Sequence, residues 1–100
     1  MAEHVLTFEK IIDTVRPIAR KYGIEEIYLF GSYAREEATV DSDLDFLVLG
    51  GSDFKFTLIF AFAEELRKSF KKKVDVFEIN EINKNSDFYN TIMKEKRIIA

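Results

Sequence analysis

Three short apolar runs, at residues 24–30, 43–49 and 73–79, stand between stretches whose apolar residues recur at helical spacing. That alternation confines the chain to layers of helix on sheet. The first run contains Ile27-Tyr28-Leu29-Phe30, a continuous apolar stretch of the kind an interior strand needs. Before it, Phe8, Ile11, Ile12, Val15, Ile18, Ala19 and Tyr22 follow a helical period over residues 5–22, and Gly23 closes the helix. Pro17 lies inside this pattern and predicts a kink or two helical pieces. A short helix is expected over residues 33–37. A longer one is expected over 54–70, with Asp53 as its N-cap. Asn85 or Ser86 caps a last helix that carries Phe88, Tyr89, Ile92 and Met93 on one face, with Met93 in the core. Residues 97–100 begin a final short strand. With 100 residues and no repeat, low-complexity stretch or linker, one domain over residues 1–100 is expected.

Composition removes most chemistries. There is no Cys, which excludes a disulfide framework, a thiolate metal site and a cysteine nucleophile. The single His4, near one end of the chain and read as a surface residue, excludes every multi-histidine site. No apolar run approaches the ~18 residues that span a bilayer, and residues 1–10 lack a signal-peptide core. A soluble, cytoplasmic chain is the expectation. A net charge of −3 argues against a large nucleic-acid groove, which needs a basic face. Carboxylates, hydroxyls, Lys, Arg and backbone amides remain to carry a site.

Those groups concentrate between Gly31 and Asp45. Gly31-Ser32 follows a strand and precedes the short helix. A glycine there lets the backbone approach a ligand, the amides that follow favour an anion such as phosphate, the Ser32 hydroxyl adds a donor and Arg35 a cation. The same dipeptide also serves as an ordinary turn. Asp43 and Asp45 alternate with Leu44, Phe46 and Val48, so both carboxylates face one way on the second strand. Side by side on an apolar strand they repel unless a hard cation such as Mg²⁺ joins them. The alternative is that Asp43 merely ends a loop and Asp45 faces water on an edge strand. Asp75 adds a third carboxylate inside the apolar run Val74-Asp75-Val76. If its strand neighbours the second, all three share one face, as two-metal phosphoryl or nucleotidyl transfer requires.

Gly-Ser, ten residues, then Asp-x-Asp resembles the signature of the DNA polymerase beta-like nucleotidyltransferases, and the resemblance extends over nearly the whole chain. It is nearest to the minimal nucleotidyltransferases, many of which look like antitoxins paired with a HEPN-domain RNase toxin. The fold implied is α/β (α+β), a mixed three- to four-stranded sheet flanked by helices. The resemblance implies that Gly31 and Ser32 hold the β- and γ-phosphates of ATP. It also implies that Asp43 and Asp45 carry two Mg²⁺ ions, and that Asp75 completes the ion nearer the acceptor and helps deprotonate it. Ser42, with Asp41, shapes the turn into the second strand and is placed to reach a phosphate. Family members often have a basic residue directly after Gly-Ser; Tyr33 stands there in this chain, which leaves Arg35 as the one cation of the turn.

No second domain to grip an acceptor is expected in 100 residues, so the acceptor is expected on a separate macromolecule. The leading expectation is AMP transfer from ATP to a hydroxyl, a tyrosine, of a cognate HEPN toxin held in a hetero-oligomer. The alternatives are an antitoxin that masks its partner by contact alone, a small-molecule nucleotidyltransferase acting on a substrate such as an aminoglycoside, and an RNA acceptor. The apolar arc of residues 54–70 is wider than packing on one sheet needs, which assigns Phe56 and Phe60 to a protein interface unless the terminal helices bury them. Lys71, Lys72 and Lys73 read as solvated cations at that helix's C-terminus, and Glu36 and Glu37 as solvated.

Overall fold

Thr7 opens the first helix: its hydroxyl accepts from the Lys10 amide at 3.0 Å, and α1 runs Phe8–Lys21 in a computed structural model that describes residues 5–51 and 54–99. The cap explains why the helix starts three residues later than the apolar pattern. Pro17 does not divide it. Pro17 faces solvent, so the one carbonyl it leaves unbonded is open to water, while Ile11, Val15 and Ala19 stay buried on the opposite side. Gly23 takes φ +68°. The Ile24 amide then reaches back to the Ala19 carbonyl at 3.0 Å, closing the helix and withholding Ile24 from the strand that follows.

That strand, β1, spans Glu26–Phe30, and β2 spans Leu44–Leu49 antiparallel to it. The second long helix, α2, covers Leu58–Phe70 and returns the chain to β3, Val74–Glu78, parallel to β2. A 3-10 turn at Ile79–Glu81 leads to α3, Asp87–Glu95, capped by the Ser86 hydroxyl on the Tyr89 amide, and β4, Arg97–Ile98, pairs with β1. The sheet is mixed, in the order β3-β2-β1-β4. This is the four-stranded, helix-flanked α/β arrangement expected, with β4 as its short fourth strand.

Period two divides the sheet into two unequal faces. Ile27, Leu29, Leu44, Phe46, Val48 and Val74 point to α1 and α2 and form the main core with Phe62 and Leu66. Phe30, Leu47 and partly buried Phe77 point the other way, where Ile92 of α3 covers them. Asp45 and Asp75 belong to this second, thinner face.

Four local expectations are corrected. Residues 33–37 form no helix, and residues 32–36 are turn: Glu36, at φ +60°, leaves the helical region after a single turn. The helix expected from residue 54 starts at Leu58. Phe54 is held in the preceding loop with its ring against Gly50, where any Cβ would collide with it, and two 3-10-type bonds lead into the helix instead. Asp53, expected to cap this helix, lies outside the described residues, as do His4 and Ala100. Met93 is exposed rather than core, because the nine-residue α3 meets the sheet through Ile92 and one step of 100° turns Met93 away. The lysine run is not simply solvated. The Lys72 ammonium sits 5.3 Å from the centre of the Tyr33 ring and donates to the Ser42 carbonyl, and Lys73 lies 3.8 Å from Asp43.

Candidate active site

Parallel pairing of β2 and β3 sets Asp45 directly beside Asp75, and antiparallel pairing sets Asp45 opposite Phe30, the last residue of β1. Gly31 follows Phe30, and Asp43 stands just before β2. The Gly-Ser turn and all three aspartates therefore meet at one end of the sheet, on the face that α3 covers only in part. Gly31 has φ +78°, and a Cβ added to it would lie 2.5 Å from Oδ2 of Asp45. Only glycine brings the turn's backbone this close to the carboxylate.

Asp45 is half-buried, and its carboxyl is pushed up from 3.8 to about 6. Burial is the largest cause, followed by the charges of Asp75 and Asp43; Lys73 and Arg35 oppose the shift. The group is thus held by its fold in a position where ionisation is unfavourable, a condition that an added cation relieves. Among the described residues no three acidic side chains converge into a ready-made cage. What fits a hard divalent ion is the donor set: only carboxylate oxygens, mutually repelling, on one face, with Lys73 already drawn to Asp43 as a counter-charge.

In the turn, the Arg35 amide bonds to the Gly31 carbonyl at 3.1 Å and the Glu37 amide to the Ser32 carbonyl at 2.9 Å. The amides of Ser32, Tyr33 and Ala34 donate to no acceptor among the described residues. Those three consecutive unpaired donors directly follow Gly31, the residue set against Asp45, and such a run suits an anion. Tyr33 does not crowd them, because its ring is buried in the core and its hydroxyl accepts from the Leu6 amide. The Gly31 amide is differently engaged: it donates to Oε1 of Glu95 at 3.0 Å. The Arg35 guanidinium is paired with Glu37 at 2.9 Å and with Glu95 at 3.1 Å, which raises its pKa. Ser42 Oγ accepts from the Thr39 amide at 2.9 Å and so braces the loop into β2.

Sequence spacing groups Gly31, Ser32, Asp43 and Asp45 and adds Asp75 if its strand neighbours the second; β3 does pair with β2, with Asp75 beside Asp45. Spacing does not find Glu95, which is 64 residues from Gly31, nor Lys72 and Lys73, whose run resembles any helix C-terminus.

Residues 9–100 match the family described as Polymerase beta, Nucleotidyltransferase. The chain belongs to that family. A relative in Methanocaldococcus jannaschii, MJ0435, named as a candidate protein adenylyltransferase, is 33% identical over 78 residues, covering 78% of this chain and 84% of its own. The fold of the nucleotidyltransferase recurs in a toxin–antitoxin crystal structure with AMP-PNP, at TM-score 0.74 and 22% identity over 95% of this chain and 73% of that one. It recurs also in the complex of a tri-AMPylated HEPN toxin of Shewanella oneidensis with an MNT antitoxin, at TM-score 0.64 and 20% identity over 93% of this chain and 68% of that one. The nucleotidyltransferase family implies a nucleotide substrate, which agrees with the unpaired amides that follow Gly31.

Proposed function

We propose that this nucleotidyltransferase moves AMP from ATP to the hydroxyl of a tyrosine on a HEPN toxin, with which it assembles as an antitoxin in a hetero-oligomer. The observation that carries the reading is the meeting of Asp43, Asp45 and Asp75 with the open amides of Ser32, Tyr33 and Ala34 at one end of the sheet. The relatives' names supply the acceptor class.

Asp43 and Asp45, with Asp75, would hold Mg²⁺, which supplies neutralising charge to the triphosphate when bound. The amides of Ser32, Tyr33 and Ala34 and the Ser32 hydroxyl receive the terminal phosphates, and Gly31 contributes by having no side chain. Arg35 and Ser42 keep the turn and the loop beside it in shape. The acceptor oxygen forms a bond to the α-phosphorus, the bond to the β-phosphate oxygen breaks, and pyrophosphate leaves. The hydroxyl proton passes to the carboxylate of Asp75. A tyrosine hydroxyl titrates near 10, so its proton needs a base at neutral pH.

The purified chain, given Mg²⁺, the toxin and ATP labelled at the α- or γ-phosphate, labels the toxin from the α-position only. Label from the γ-position, or none from the α-position, refutes AMP transfer. The exposed pair Phe56 and Phe60 favours a second reading, masking of the partner by contact alone. Asp43→Asn combined with Asp45→Asn separates the two: loss of neutralisation with the complex intact supports transfer, and unchanged neutralisation supports masking.

A further inference from the structure

Glu95 is the last residue of α3, and its carboxylate crosses to the Gly-Ser turn, where it is only 18% exposed. Its Oε1 accepts from the Gly31 amide at 3.0 Å and from Arg35 Nη1 at 3.1 Å, and its Oε2 lies 3.2 Å from the same Nη1. Arg35 in turn closes the turn through its own amide on the Gly31 carbonyl. Gly31 is thereby held at both its polar groups, its N–H by Glu95 and its C=O by Arg35, in the left-handed conformation that sets it against Asp45.

We infer that Glu95 is a positioning residue for the nucleotide site: it fixes the Gly31 amide and the Arg35 guanidinium, and so holds the phosphate-facing amides aimed beside Asp45. This rests on the nucleotide-binding reading above. Two roles are conceivable for a carboxylate at a phosphate turn, a strut or an occupant that a phosphate must displace. The partners of the carboxylate decide between them. Glu95 takes the Gly31 amide and none of the amides of Ser32, Tyr33 and Ala34, so it leaves those three donors unoccupied. Its charge is partly offset by Arg35, which it shares with Glu37, so the guanidinium lowers without cancelling the repulsion an anion meets there. A strut set in advance spares the nucleotide the ordering of the turn.

The test compares binding of AMP-PNP with Mg²⁺ by calorimetry to the wild type, Glu95→Gln, Glu95→Ala, Arg35→Gln and the double variant Glu95→Ala with Arg35→Gln. The loss of three charge-assisted contacts in Glu95→Ala weakens binding on the order of tenfold, with an intermediate loss in Glu95→Gln, which keeps an acceptor for the amide. Arg35→Gln weakens the wild type but adds less than its full effect to Glu95→Ala, because the two variants share the loss of the Arg35–Glu95 ion pair. In ¹⁵N–¹H spectra without nucleotide, the Gly31 amide resonance moves in Glu95→Ala far more than those of α1. Turnover at saturating ATP stays within about threefold while KM rises. Equal or tighter binding in both Glu95 variants, or full additivity with Arg35→Gln, overturns the strut. A wild type that binds no AMP-PNP overturns the nucleotide reading itself. In that case an unmoved Gly31 resonance overturns the strut separately.

Discussion

Replacing Asp45 by Asn should make the metal-free protein more stable at neutral pH while destroying its proposed activity. Asp45 has a folded-state pKa of about 6 against an ordinary 3.8, raised by burial and by the charges of Asp75 and Asp43. Above pH 6 the group is ionised in both states, and the folded state bears the whole cost. Below pH 4 it is protonated in both, and the cost is absent. Stability is therefore lost as pH rises from about 4 to 6, the reverse of an ion-paired carboxylate. A shift of this size is on the order of 3 kcal/mol, and because the group is half open to water we halve it to about 1.5 kcal/mol. For a domain of this length that is roughly 6–12 °C in melting temperature. The assay is thermal unfolding by circular dichroism with EDTA, for the wild type and Asp45→Asn, at pH 7.5 and pH 4. The variant gains at pH 7.5 and the difference closes at pH 4. An unchanged or lower midpoint at pH 7.5, or a gain that persists at pH 4, would refute the electrostatic reasoning.

The same titration predicts that Mg²⁺-dependent binding of AMP-PNP strengthens as pH rises through about 6, since a protonated Asp45 is a poor ligand; calorimetry at pH 5.5 and 7.5 measures it. Gly31→Ala costs about 1–3 kcal/mol, from a left-handed φ of +78° and from a Cβ driven against Oδ2 of Asp45, read as a lowered urea midpoint. Phe62→Ala removes a fully buried ring that Tyr22 meets edge-on at 5.9 Å and should cost about 3–5 kcal/mol in the same urea assay. Phe60→Asp, at a position 68% exposed, shifts the melting temperature little, because surface substitutions stay within about 0.5 kcal/mol. Combined with Phe56→Asp it weakens toxin binding in a pull-down, and an undiminished complex excludes this patch as the interface.

What the sequence discloses here follows the range of the interaction concerned. Asp43, Asp45 and Asp75 are legible because period-two alternation on apolar strands fixes the face of every carboxylate, and parallel pairing of neighbouring strands then sets Asp45 beside Asp75. The Gly-Ser turn is legible as a turn, but its continuation as a helix is not. Residues 33–37 have ordinary helix formers, and what stops them is Glu36 in the left-handed region, with Arg35 drawn to Glu37 and Glu95. Lys72 and Lys73 illustrate the limit of a generic pattern. Cations after a helix are commonplace, and only the return of β3 alongside β2 brings these two against Ser42 and Asp43. Glu95 carries no local signal at all, since its partners Gly31 and Arg35 lie 64 and 60 residues away and nothing in the α3 pattern marks its last acidic residue.

The cost of placing charge inside a sheet explains how the two faces divide their work. Ionised at neutral pH and without a metal, Asp45 opposes folding by a cost on the order of 1.5 kcal/mol, and Gly31 beside it gives up side-chain contacts to make room. A domain of about 100 residues has only some 5–15 kcal/mol to lose. The opposite face can offset such a cost because Leu44, Phe46 and Val48, the residues that alternate with the carboxylates on the same strand, are fully buried under α1 and α2. One six-residue strand thus drives Leu44, Phe46 and Val48 into the main core and presents Asp45 to the site. A one-residue slip of β2 would exchange the two sets, burying Asp45 in the apolar core and exposing Phe46. The register that stabilises the fold and the register that assembles the site are therefore the same, and variants that loosen the core at Phe46 should weaken nucleotide binding before they unfold the chain.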